Sequence, residues 1–280
     1  MFGFGLSLAA AFAWGVSDFL GGIETRKMPA LTVLAITQPV GLALALLFVA
    51  FFQADPLSAT QFGAAVFAGA AGVAALAAFY QSMALGTISV VAPVASLGVV
   101  VPVAVGLARG EDPGLVAAVG VVLGIAGVVF LSYEEDPEHK PVARKALWLA
   151  LASGLGFGVF FTALDFAEAS RPGWAVVGVK TGGVIGVLVG LALYRLRPRP
   201  PRESLGILSL IGFCDVAASA LFALATTRGL LPVVAVGGSM YPAFTIGLAH
   251  VGLGERLNRL QVAGAALALV GAGLIVAGGS

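Results

Sequence analysis

The chain repeats itself at a fixed offset, and that repeat limits its fold more than any other feature. Shifted by 143 residues, the second half falls on the first. Trp14-Gly15 meets Phe157-Gly158, Pro29 meets Pro172, Gly69 meets Gly212, and Val90-Val91-Ala92 meets Val233-Val234-Ala235. One inserted residue moves the offset to 144, and Gly110-Glu111 then meets Gly254-Glu255, with Gly120 on Gly264 and Gly127 on Gly271. Each copy contains five long apolar segments. A chain that crosses a bilayer an odd number of times per copy must insert its second copy from the opposite side. The expected architecture is therefore an all-α integral membrane protein of ten transmembrane helices, arranged as two inverted-topology five-helix repeats.

Composition excludes a water-soluble domain. Apolar residues make up 59 % of the chain and charged residues 10 %, against roughly a quarter charged in soluble domains. The net charge of +1 is too small to suggest a nucleic-acid partner. Cys214 is the single cysteine, so neither an intrachain disulfide nor a thiolate metal cluster can form. No basic n-region precedes the first apolar segment, so it reads as a span and not a cleaved leader.

A spanning helix needs about 20 apolar residues. The runs predict spans at 3–23, 31–52, 61–85, 89–108, 114–133, 146–168, 173–194, 204–227, 231–252 and 260–278. Residues 1–133 form the first repeat, 134–145 a polar linker, and 146–280 the second repeat. Lys and Arg favour the cytoplasmic side. One set of loops carries eleven of them, from Arg26 and Lys27 to Arg256 and Arg259, and the other carries Arg109, Arg171 and Arg228. This bias places both termini outside. Gly178, Gly182, Gly186 and Gly190 form a four-residue ladder, and Gly120-Gly124 a shorter one. Small residues at this spacing allow close helix packing, within the chain or in a homodimer.

Ordered motifs then add a resemblance. Ala13-Trp14-Gly15 lies in the first span. Tyr241-Pro242, Gly254-Glu255-Arg256-Leu257, Gln261 and Gly264 follow one another in the second repeat, and Pro102, Gly110-Glu111 and Gly120 form a weaker copy in the first. In these features the whole chain resembles the drug/metabolite transporter superfamily, specifically its EamA-like ten-helix members. The resemblance implies a multi-pass protein of the cell membrane that moves small metabolites, amino-acid-like solutes above all and by export, through a cavity between the repeats. A sugar or nucleoside permease of the same fold, and a flippase for lipid-linked substrates, are the alternatives. Family members are often drawn with cytoplasmic termini, opposite to the charge bias here.

Charges inside a bilayer cost several kcal/mol unless paired or wetted, so they mark candidate sites. Asp18, Lys180 and Asp215 are such residues. Asp215 is near mid-helix, and Lys180 lies roughly 5 Å away in depth, within reach of a lysine stem. Asp18 lies roughly 10 Å from Lys180 in depth. Lys180 is thus expected to pair with Asp215, either to fix helix register or to hold a substrate's charges. Gln38 shares the depth of Asp18 and is expected to bond to it. Asp18 and Asp215 are the candidates for proton coupling. Trp14 and Tyr241 lie near mid-depth, away from the interfaces where such rings anchor, and either pack in the core or line a cavity. Tyr80 is expected near an inner gate. Pro93, Pro102, Pro232 and Pro242 fall in the fourth and ninth spans, which are repeat mates and candidate gating helices. Glu111 and Glu255 precede the last helix of each repeat and are expected to cap it. Asp165, Glu168 and Arg171 are expected as a solvated outer cluster.

No enzyme constellation is present. His139 and His250 are isolated, and neither a zinc spacing nor a phosphate-binding loop occurs. No metal or cofactor is expected. The implied partners are a small-molecule substrate and the lipid bilayer.

Overall fold

In lipid, each backbone N–H and C=O must find its partner within the protein, and long apolar runs meet that demand as helices. The computed structural model describes residues 2–278 except 53–55, 87, 97, 99, 112–113, 132–143, 169–170 and 254–258. The first half contains α1 (Phe2–Thr25), α2 (Ala30–Phe52), α3 (Ala59–Leu85), α4 (Ile88–Ser96), α5 (Val100–Ala108) and α6 (Gly114–Leu131). The second contains α7 (Arg144–Glu168), α8 (Pro172–Leu193), α9 (Leu205–Thr226), α10 (Leu231–Gly238), α11 (Tyr241–Leu253) and α12 (Arg259–Gly278). Seven helical stretches among the described residues are long and apolar enough to cross a membrane. The linker at 134–145 and the Gly254-to-Leu257 motif, with Glu255, fall largely or wholly outside the described residues.

Local chemistry sets several boundaries. At the start of α3, Ser58 Oγ accepts from the Gln61 amide at 3.3 Å and Gln61 Oε1 accepts from the Ser58 amide at 3.4 Å, a reciprocal cap. Pro172 opens α8, where its missing N–H leaves no bond unmade.

The structure departs from the sequence expectation at the fourth and ninth spans. Each is two helices, α4 with α5 and α10 with α11. Pro102 is the third residue of α5 and Pro242 the second of α11, so both stand in the first turn of a restarted helix. Pro232 likewise lies in the first turn of α10. Proline presets a helical φ and lacks only an amide that the first turn leaves unbonded. Pro93 differs, since it lies inside α4. A further interior proline, Pro39 in α2, directly follows Gln38.

The helices pair across the halves. α1 packs on α9, α3 packs on α7, and α2 meets α8, while α6 lies along α12. These contacts obey the 143-residue offset, because α1 and α3 are the mates of α7 and α9. Lipid tails offer helices little hydrophobic reason to associate, so close backbone approach must hold them together. The long glycine ladder provides this along α8. Gly178 faces Ala65, Gly182 meets the Val66 carbonyl, and Gly186 faces Val73, all on α3. Gly69 on α3 returns the contact to the Val179 backbone. Gly271 of α12 seats against Gly120 and Gly124 of α6 in the same way.

A methyl group at Gly182 would overlap the Val66 carbonyl, whereas one at Gly247 meets nothing within 4 Å. Gly182→Ala is therefore expected to destabilise the protein by about 1–3 kcal/mol and Gly247→Ala to leave it unchanged. Thermal melting of the two variants in detergent, beside the original chain, checks this.

Candidate functional site

Seven helices, α1, α2, α3, α7, α8, α9 and α11, enclose a cavity with about 570 Å³ of unfilled space, counting the part open to solvent. Helical spacing decides which side chains reach it. Trp14 and Asp18 are four residues apart on α1, as are Asp215 and Ser219 on α9, so each pair shares a face. Phe157, Phe160 and Phe161 share a face of α7 in the same manner, and all these residues line the cavity.

The polar centre is a buried ion pair. Lys180 Nζ donates to Asp215 Oδ2 at 2.7 Å. Lys180 is 2 % exposed and Asp215 8 %. Gln38 Nε2 donates to the same oxygen at 3.2 Å. The sequence placed Gln38 with Asp18, and here the structure differs. Depth along a helix does not fix rotation about it, and the α2–α9 contact turns Gln38 toward Asp215. Two glycines make room: the Lys180 stem passes 3.2 Å from where a Cβ on Gly41 would lie, and Gly212 lets α9 approach the Thr37 carbonyl. Ser219 Oγ donates to the Asp215 carbonyl at 2.8 Å.

Asp18 also faces the cavity. It is 5 % exposed, and among the described residues its carboxyl group has no hydrogen bond or ion pair. The Tyr241 hydroxyl is buried and likewise has no hydrogen-bond partner among the described residues. Around these groups the wall is aromatic. Trp14 lies 5.6 Å from both Phe161 and Phe222, and Tyr241 lies 6.3 Å from Phe157, edge to face.

The structure thus brings together Trp14, Asp18, Gln38, Lys180, Asp215 and Tyr241. Tyr80 does not line the cavity. It is fully buried between α1 and α3, its hydroxyl donating to the Ser17 carbonyl at 3.5 Å and its ring resting against Gly21. Pro102 and Pro242 are not among the described lining residues and mark the divided helices beside the cavity, while the side chains of Pro93 and Pro232 lie outside the described residues. Sequence reasoning missed Phe157, Phe160 and Phe161. The repeat held the signal, since Phe157 and Phe161 are the offset mates of Trp14 and Asp18.

Outside the cavity the charges pair locally. Arg109 Nη1 meets Asp165 Oδ2 at 2.6 Å, so Asp165 joins the end of α5, while Arg171 donates to the Pro56 carbonyl. The Glu168 side chain is outside the described residues. Glu111 accepts from the Leu231 amide at 2.9 Å. It therefore caps α10 and not the helix that follows it, because α5 runs beside α10. Glu24 is fully buried at the end of α1 and bonded to Lys27 at 2.6 Å. The span expected at 3–23 stops just before it, whereas α1 runs on to Thr25. Among the described residues no cluster of His, Cys, Asp or Glu could hold a metal ion.

A family model described as the EamA-like transporter family matches residues 1–133 and again 144–277. The chain belongs to the EamA-like transporter family. It is accordingly a multi-pass membrane protein of a family that transports small solutes. A solved structure described only as the crystal structure of a protein superposes with a TM-score of 0.71, covering 95 % of each chain at 15 % identity. At that identity the likeness shows the fold alone. Among curated proteins no relative matches the sequence. In this EamA-like chain the two family matches meet at one cavity, since both halves contribute its walls.

Breaking the pair from one side leaves a buried charge uncompensated. Lys180→Ala is expected to lower stability by about 3–5 kcal/mol. The double change Lys180→Met with Asp215→Leu is expected to recover most of that loss. Melting of both variants in nanodiscs tests this.

Proposed function

We propose that this EamA-like protein carries small amine-bearing metabolites, amino-acid-like solutes among them, across the cell membrane by alternating access. The two halves, 1–133 and 146–280, act as inverted five-helix repeats joined by the segment 134–145. The observation that carries this reading is a cavity walled by repeat mates, α1 with α7, α2 with α8 and α3 with α9, holding a buried Lys180–Asp215 pair. Such a cavity is what transporters with repeated halves build near mid-membrane.

The solute sits closest to Asp215, Lys180 and Trp14, with Gln38, Tyr80, Tyr241 and Asp18 around them. Asp18 and Asp215 serve as the proton-coupling groups for export. The divided helices α4–α5 and α10–α11 supply the gate. They are repeat mates with prolines at their restarts, and discontinuous helices are a recurrent feature of transporter sites. The dense glycine contacts between α3 and α8 tie one half to the other, so the movement falls to the divided helices.

Counterflow in proteoliposomes tests the function. Labelled amines and amino acids are expected to accumulate, and sugars and nucleosides are not. Asp215→Asn and Trp14→Ala are each expected to reduce accumulation at least about tenfold, equivalent to 1.4 kcal/mol of lost binding, in protein that still melts cooperatively. Accumulation unchanged in both variants would remove the site from this cavity.

A further inference from the structure

The ionisable side chains in the cavity are unequal in number. Asp18, Lys180 and Asp215 face it, two acids against one base, and Lys180 is already bound to Asp215 at 2.7 Å. Gln38 adds a second donor to the same Asp215 oxygen, so that acid is matched from within the protein. Asp18 is not matched. No other base among the described lining residues can serve it, since Lys27 is held by Glu24 and Arg109 by Asp165 outside the cavity. A buried carboxylate without a counter-charge is a costly arrangement in a membrane. The surrounding surface offers aromatic rings, with Trp14, Phe157, Phe160 and Phe161 on the wall. Ring faces attract cations, most strongly where water is excluded.

We infer that the cavity selects aryl-alkyl monoamines, organic monocations with a flat apolar body, over zwitterionic amino acids, and that Asp18 is their counter-ion. This deepens the transport reading and rests on it. The ammonium of such a ligand sits beside Asp18, and its ring lies among the aromatic side chains. The unpartnered Tyr241 hydroxyl is the remaining polar group free to orient it. A zwitterion brings a carboxylate as well. That carboxylate meets two acids, and the one base it needs is engaged by Asp215. Binding it requires opening the Lys180–Asp215 pair, whereas a monoamine leaves the pair intact.

The test compares phenethylamine with phenylalanine, which share a ring and an ammonium group and differ by a carboxylate. Binding to the purified full chain in nanodiscs is measured together with counterflow in proteoliposomes. Phenethylamine is expected to bind at least about tenfold more tightly, since 1.4 kcal/mol of charge matching corresponds to that factor. Asp18→Asn is expected to remove this preference by weakening the amine alone, and Asp18→Glu to preserve it. An unaltered melting temperature in Asp18→Asn separates loss of the site from loss of fold. Phenylalanine binding as tightly as phenethylamine, with counterflow intact, would overturn the inference and leave the transport reading standing. A preference that survives Asp18→Asn would overturn the role of Asp18. Absence of both binding and counterflow for either probe, in protein that melts cooperatively, would overturn the inference and the transport reading together.

Discussion

A lysine and an aspartate meet at 2.7 Å inside a helical bundle made for lipid, and two glycines and a glutamine accommodate them. Removing two charges from water costs several kcal/mol per ion. The bundle offsets this only if both side chains reach each other without strain. Gly41 clears the path of the Lys180 stem, and Gly212 lets α9 close against α2. Gln38 fills the remaining side of Asp215. Buried pairs of this kind contribute little net stability compared with apolar packing. Their presence here, in a cavity and beside an unmatched Asp18, suits a place where solute charges are handled.

The second constraint is the absence of a hydrophobic drive between helices in lipid. Backbone contact replaces it. The α3–α8 seam meets through Gly69, Gly178, Gly182 and Gly186, and the α6–α12 seam through Gly120, Gly124 and Gly271. A side chain at Gly69 or Gly182 would overlap backbone across the seam, so these contacts tolerate little change. The interrupted helices α4–α5 and α10–α11 are where the backbone is already divided, and they stand beside α7 and α1 respectively.

Much of this was legible in the sequence, and the limits of its legibility are physical. Helical rise and bilayer thickness fix depth, so the Lys180–Asp215 partnership followed from counting residues along two spans. Rotation about a helix axis is not fixed by depth, and for that reason Gln38 was assigned to Asp18 and not to Asp215. The long apolar windows identified membrane helices but averaged over the short gaps after α4 and α10; Pro102 and Pro242 were the local signs of the restarts. Tyr80 was placed near an inner gate by its depth, and the structure buries it between α1 and α3 against Ser17 and Gly21. Glu111 was read as a local cap, yet its partner is Leu231, 120 positions away, which no local pattern reveals. The repeat itself contained Phe157 and Phe161 as mates of Trp14 and Asp18.

Alternating access requires one cavity to open in turn to both sides of the membrane. Ser219 lies on its wall and is 1 % exposed, so a cysteine placed there reports access to the site. The most direct measurement replaces Cys214 with serine, introduces Ser219→Cys, and applies a membrane-impermeant maleimide to sealed right-side-out and inside-out vesicles. Alternating access predicts labelling from each side, with a bound amine slowing both reactions. Labelling from one side only, with and without the amine, would contradict it.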